Sequence, residues 1–379
     1  MDMNDRALRR ISIDIGEKKG ALSRNTGFVI TAASEIMAVM ALANSLEDLR
    51  RRLGAIVVGV SRSGKPVRAS DLNATGAMMA LLSEAILPNL MQTTENTPAL
   101  VHTGPFGNIA HGTSSVISHN MGIRLADYVV NEAGFAADLG AEKYLDIVMR
   151  SSGIAPACAV LVTTVQSLRN QGEGDLERGF PNLARHIHNL KLFHVPVVVA
   201  INRFPKDTDA ELKRMADYCS EHGAVSALSE AFTKGGAGAE ALARKVVETI
   251  EKSPSPKVQP IYGLEESLEN KVVKIATDIY GAAGVSFSEK ARKKLEQYQS
   301  WCFGKLPVCV AKTQYSFSDN PKVLGAPSGW TLNVTDASLS AGAGFVVVIA
   351  GNMMLMPGLP KVSRAISVDV DARGEIVGI

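Results

Sequence analysis

A chain of 379 residues exceeds what one small core serves, and about 150 residues per domain implies two or three. With 46% apolar and 21% charged residues, and 40 basic against 38 acidic for a net charge of +2, nothing in the charge calls for nucleic acid or an anionic membrane. Four cysteines (Cys158, Cys219, Cys302, Cys309) without C-x-x-C spacing, no apolar signal core at the N-terminus and no apolar run of membrane-spanning length point to a cytoplasmic protein with free thiols.

In chain order, 54–60 (GAIVVGV), 157–165 (ACAVLVTTV), 196–204 (PVVVAINRF), 307–312 (PVCVAK) and 344–351 (GFVVVIAG) read as buried strands. The patterns over 71–90, 180–194, 208–222, 236–252 and 265–300 predict helices. Near-continuous apolar strands separated by helices argue for parallel α/β layers. The stretch 251–260, EKSPSPKVQP, has the proline and serine content of a linker, so domain boundaries are placed near residues 175 and 256.

Residues 59–66, GVSRSGKP, follow a strand and spell G-x-x-x-x-G-K, the frame of a phosphate loop. Such a loop needs a serine or threonine after the lysine to hold magnesium. Here Pro66 has neither hydroxyl nor N–H and pushes Lys65 out of helical geometry. A surface turn between two strands, with Lys65 in solvent, is the better reading.

The loop 104–115, GPFGNIAHGTSS, permits close backbone approach to a ligand, and its hydroxyls can cap the helix that follows. Phe106 offers a ring face; His111 is either a general base or a hydrogen-bonded structural group. Glu132, Asp138, Glu142 and Asp146 form an acidic cluster suited to a cation, or else a solvated loop and helix start.

At the carboxyl end of a buried strand, 202–212 (NRFPKDTDAEL) aims Phe204 rigidly ahead of Pro205, and open α/β sheets bind ligands at that end. The stretch 227–238 (ALSEAFTKGGAG) sets Phe232 beside a lysine and a glycine turn. The two rings either sandwich a flat heterocycle or belong to the core. Likewise 311–322, AKTQYSFSDNPK, borders a site or is a hydrated loop.

Taken together, TGFVITAASEIMAV, ENTPALVHTGPFGNIAHG, LADYVVNEAGFAADLGAEK, NLARHIHNLKLFHVPVVVAINRFPKDTDAE, AKTQYSFSDNP and SAGAGFVVVIAGNMMLMPGLPK resemble the formate–tetrahydrofolate ligase family over essentially the whole chain. The resemblance implies ATP-dependent ligation of formate to tetrahydrofolate through formyl phosphate, with Mg2+ on the ATP, an activating K+ or NH4+, and a homotetramer. It implies a P-loop-type α/β large domain, truncated at its N-terminus, over 1–175, a Rossmann-like α/β domain with pterin-stacking loops over 176–256, and a third over 257–379.

By match, Phe204 with Pro205 would stack on the pterin and Phe232 would stand where the family has a tryptophan. Leu228 would lie near nucleotide and cation, backbone N–H groups around Ala77 would hold formate, and Phe106 and Asn108 would line the pocket. The chain departs from the family at Gln166, Gln171 and Glu173, the last replacing a glycine, and lacks the family's N-terminal phosphate-loop segment. It therefore reads as the C-terminal two-thirds of such a ligase, without activity on its own or completed by a partner chain that carries the loop. The alternatives are a non-catalytic folate-binding or assembly module and, more remotely, an α/β phosphate-binding hydrolase, for which no nucleophile–base pair is visible.

Overall fold

The computed structural model describes residues 6–13, 23–107, 111–353 and 362–378. The chain divides into two compact units, residues 1–30 with 354–379, and residues 31–353. In the first, strands Ile11–Ile13 and Arg24–Thr26 pair antiparallel, as do Asp369–Val370 and Ile376–Val377 around a turn in which Asp371 accepts the N–H groups of Arg373 and Glu375.

The second unit is mixed α/β, with several small sheets. Its functional layer is a three-stranded parallel sheet in which Val197–Asn202 lies between Ala159–Thr163 and Val225–Ser229. The middle strand is buried from Val197 to Ile201 because helices cover both faces, and this is why it reads as an unbroken β-branched run. Helices Leu176–Leu192 and Asp209–Glu221 supply the crossovers. The second starts with a capping box: the Thr208 hydroxyl accepts the Glu211 N–H at 3.3 Å, and the Glu211 carboxylate accepts the Thr208 N–H at 2.9 Å. The boundary expected near residue 175 falls inside this layer, since Ala159–Thr163 pairs residue for residue with Val197–Ile201.

A four-stranded sheet runs in the order Gly284–Phe287, Thr331–Ser340, Phe345–Ala350, Val308–Ala311. Only the pairing of Thr331–Ser340 with Phe345–Ala350 is antiparallel. One apolar core joins this sheet to helices Glu35–Leu42 and Leu46–Ala55; a second underlies the parallel sheet. The stretch around residue 256 is irregular but anchored, the Gln259 N–H donating to the Phe193 carbonyl at 3.2 Å and the Ile261 N–H to Asp146 at 3.1 Å.

Two expected helices are shorter than their apolar patterns. The pattern over 71–90 is α-helical only from Thr75 to Leu81, after a 3-10 turn that ends at Leu72, and gives way to a hairpin of Asn89–Gln92 with Pro98–Val101. Within 265–300 the helical run stops at Ile279; Gly281, at φ +74°, turns the chain into strand Gly284–Phe287 before helix Glu289–Ser300. Among the described residues no helix is long and apolar enough to cross a membrane.

Candidate active site

The site is built where two neighbouring parallel strands end. The Arg203 N–H donates to the Ser229 carbonyl at 2.9 Å, tying the two carboxyl ends together. Beyond Arg203 the chain turns on itself: the Phe204 N–H donates to Asp207 Oδ2 at 2.8 Å, and the Asp207 N–H returns to the Phe204 carbonyl at 3.0 Å. With the φ of Pro205 fixed by its ring, Phe204 is held half-buried at the strand end.

Phe232 lies on the four-residue helix Ala231–Lys234. The Glu230 N–H donates to the Gly238 carbonyl at 2.9 Å and Lys234 pairs with Glu230 at 2.6 Å, closing the loop beneath it. Phe232 is 67% exposed, and its ring centroid is 4.9 Å from that of Phe204 at 50° between planes.

A flat ring held between two others needs about 7 Å between the outer planes, twice a contact of ~3.5 Å. The expected sandwich is thus closed, each phenylalanine filling the other's space. Phe232 is the more exposed of the two and has the more room to swing outward. Neither is a core residue.

The structure brings Phe204, Pro205, Leu228 and Phe232 to one edge. Leu228 is opposite Ile201 in the ladder, half-buried against the core. Phe106 lies elsewhere, its N–H donating to the Ala32 carbonyl at 2.7 Å, and among the described residues it makes no ring contact with the phenylalanine pair. Asn108 falls outside the described residues. Ala77 is exposed in the first turn of helix Thr75–Leu81, where N–H groups have no acceptor within the helix.

The G-x-x-x-x-G-K string is a surface turn. Val57–Val60 and Pro66–Arg68 pair antiparallel, the Ser61 N–H donates to the Lys65 carbonyl at 2.8 Å, and Lys65 is exposed.

The acidic cluster is neither a solvated loop nor a cation cradle. Glu132 is exposed, but Asp138 and Asp146 are buried on π-helical turns Ala137–Ala141 and Tyr144–Val148, and Glu142 is buried between the two. Lys312 meets Asp138 at 2.7 Å and Arg150 meets Asp146 at 3.5 Å, so the chain supplies its own cations. Among the described residues no group of three or more His, Cys, Asp or Glu side chains is placed to hold a metal ion.

Burial, then the neighbouring Asp146 charge, pushes the Glu142 carboxyl well up; burial raises Asp146 to about 7. His111 is wholly buried against Phe345, and burial, with the Arg52 and Lys143 charges, pushes its ring down to about 3. The Ala38 backbone lies near enough to act on the ring, but neither ring nitrogen has a hydrogen-bond partner among the described residues. His111 is a neutral interior group.

In the segment 311–322, Lys312, Ser316 and Ser318 are buried, whereas Tyr315 and residues 320–322 are exposed. Gln171, one of the departures, holds the following turn, accepting the Gly325 N–H at 2.9 Å. Two supports were not evident from sequence. Asp207 could have been found from its place in a tight turn after proline. Glu95 carries no local signal, because its partner, the Gly236 N–H, is 141 residues away.

An open parallel α/β sheet defines a class of proteins that take ligands at the carboxyl ends of the strands, and here that edge carries two contacting aromatic rings. The comparisons with known proteins narrow that class. The family model for formate–tetrahydrofolate ligase matches residues 1–379. Over 391 aligned positions the chain is 51% identical to the formate–tetrahydrofolate ligase of Symbiobacterium thermophilum, covering all of this chain and 70% of that protein. It is 49% identical, with the same coverage, to the enzymes of that name from two strains of Methylorubrum extorquens. The chain belongs to the formate–tetrahydrofolate ligase family.

Proposed function

We propose that this chain works in the ATP-dependent ligation of formate to tetrahydrofolate, giving 10-formyltetrahydrofolate, and that it supplies the pterin-binding wall. In the chemistry proposed, a formate oxygen attacks the γ-phosphorus of ATP and ADP leaves. The N10 amine of the folate then attacks the formyl carbon of formyl phosphate, phosphate departs, and the amine proton is lost. The protein's part is to position reactants and neutralise charge.

Phe204, buttressed by Asp207 and Pro205, would be the fixed face for the pterin, and Phe232 the movable one. Leu228 would border nucleotide and the monovalent cation, the N–H groups around Ala77 would receive formate, and Phe106 and Asn108 would line the approach. The nucleotide and formate end of this reading, a P-loop-type domain, lies N-terminal to the parallel sheet. Mg2+ would arrive with ATP, and no step is assigned to a metal held by the described side chains. Assembly into a homotetramer, or with a partner chain carrying a phosphate loop, is part of the same reading. The exposed side chains of Ile123, Leu125 and Val130 offer an apolar surface for it.

The observation that carries the proposal is the contact of Phe204 with Phe232 at the ends of adjacent parallel strands. The test is calorimetric titration of the purified chain with tetrahydrofolate, alongside Phe204→Ala and Phe232→Ala. Both variants should bind markedly more weakly while melting as the parent does; binding untouched by either removes the proposal. A second reading, a folate-binding module without catalysis, is favoured by the hairpin geometry of 59–66, which leaves Lys65 off any phosphate. Formation of 10-formyltetrahydrofolate from ATP, formate and tetrahydrofolate by the pure chain would exclude it.

A further inference from the structure

The hairpin Asn89–Gln92 with Pro98–Val101 carries a tight tip. Within it the Thr93 N–H donates to the Thr97 carbonyl at 2.9 Å, the Asn96 N–H to the Thr93 carbonyl at 2.9 Å, and the Thr97 N–H to the Thr93 hydroxyl at 3.1 Å. Asn96, at φ +61°, takes the left-handed turn that closes the tip, and Glu95 stands at its apex. The Glu95 carboxylate accepts the Gly236 N–H at 2.7 Å.

The two glycines beneath it lie against this carboxylate. A Cβ on Gly236 would stand 3.0 Å from the carboxyl carbon of Glu95, and one on Gly235 2.9 Å from Oε1. Gly235 also adopts φ +59°, ψ −143°, a region essentially confined to glycine. The glycine turn that follows Phe232 is thus met by a carboxylate from a distant hairpin.

We infer that Glu95 is a positioning residue for the pterin site, fixing through Gly236 the loop that presents Phe232 to Phe204. The inference rests on the pterin-stacking reading proposed above. The Phe232 ring must turn aside to admit a third ring, and it can do so about its own side-chain torsions only if its backbone stays in place. The carboxylate pins that backbone from outside the loop, so less of the loop is left to be ordered when ligand enters. A charge-assisted bond to a backbone N–H suits this task, since it leaves the outer face of the ring unobstructed.

The experiment is a double-mutant cycle read by calorimetric titration of the full chain with tetrahydrofolate, using the parent, Glu95→Ala, Phe232→Ala and the double variant. Glu95→Ala should weaken binding by about three- to tenfold, the scale of one such bond, with an unchanged melting temperature. Glu95→Gln, which keeps an acceptor oxygen, should recover most of the loss. In the Phe232→Ala background Glu95→Ala should cost nothing more, because the residue it positions is gone.

An equal loss in both backgrounds, no loss in either, or tighter binding by Glu95→Ala would each overturn the inference and leave the pterin reading standing. Failure of the parent to bind tetrahydrofolate, or indifference of binding to Phe232→Ala, would overturn that reading and the inference with it.

Discussion

Asp138 and Lys312 form an ion pair at 2.7 Å in the interior, with 7% of the carboxylate side chain and none of the lysine side chain exposed. The ammonium also donates to the Thr313 and Ser316 carbonyls and lies 4.9 Å from the Tyr280 ring centroid. The π-helical turn Ala137–Ala141 thus faces the end of strand Val308–Ala311 through a desolvated ion pair. Removing one partner leaves a buried charge uncompensated, which costs about 3–5 kcal/mol, whereas replacing both by apolar groups of similar volume is far milder. Asp138→Asn should therefore lose most of that amount in urea unfolding, and Asp138→Leu with Lys312→Met much less. Equal losses in the single and double variants would contradict the account.

The neighbouring carboxyl pair sets a pH dependence of definite sign. Glu142 is raised well above its ordinary value by burial and by Asp146, and Asp146 is raised to about 7 by burial. Burial likewise raises Glu35 to about 7. In the unfolded chain these groups titrate near 4, so above that pH the native state holds more protons than the unfolded state. Stability should accordingly fall as pH rises from about 4 through 7. Glu142→Gln removes one such group without changing its volume: the decline should flatten, leaving the variant more stable than the parent at pH 8 and not at pH 4. Parallel curves in urea midpoint against pH would refute it.

What could be read in the sequence follows how local the signal was. Val197–Ile201 was evident because burial on both faces demands an unbroken apolar run. Strand Thr331–Ser340 has no comparable apolar run because one face meets solvent: buried Leu332 and Val334 alternate with exposed Thr331, Asn333 and Thr335, halving the apolar content. Asp138, Glu142 and Asp146 read as surface because carboxylates are rarely interior, and the cations that offset the Asp138 and Asp146 charges, Lys312 and Arg150, are distant in sequence or a turn away. Phe204 and Phe232 were visible as candidates, but not their mutual contact, since a ring–ring distance belongs to the tertiary structure alone.

Glu173 tests how a departure from the family is accommodated. It stands where the resembled family has glycine, and it adopts φ +55°, the left-handed region that glycine favours. Its ion pair with Arg178 at 2.5 Å joins side chains 65% and 62% exposed, so solvent screens most of its worth. Left-handed backbone at a residue with a Cβ costs about 1–2 kcal/mol, part of which glycine returns through the freedom of the unfolded chain. Glu173→Gly should gain about 0.5–1 kcal/mol, seen as a rise in melting temperature. A fall would mean the ion pair dominates.

Lys65 gives a control. On a hairpin turn whose Gly64 carbonyl accepts the Trp301 indole N–H at 2.9 Å, its side chain extends into solvent. Lys65→Ala should leave both the unfolding midpoint, within about 0.5 kcal/mol, and any measured affinity for ATP unchanged. A large loss of nucleotide affinity would show the turn to be a phosphate cradle after all.

Phe232 offers the most direct probe of the proposed pterin wall. It stands where the family resemblance places tryptophan, and at 67% exposure it leaves room for a larger ring. An indole adds stacking area and an N–H, and aromatic pairing contributes about 0.5–1.5 kcal/mol beyond burial. The wider ring has to leave Phe204 as the phenyl does, so the gain is only the difference between two contacts. Phe232→Trp should therefore tighten tetrahydrofolate binding by about two- to threefold, with its new indole emission quenched as the pterin stacks, while Phe232→Ala weakens binding. Tighter binding without quenching would place the tryptophan away from the ligand, and unchanged binding in both variants would remove residue 232 from the site.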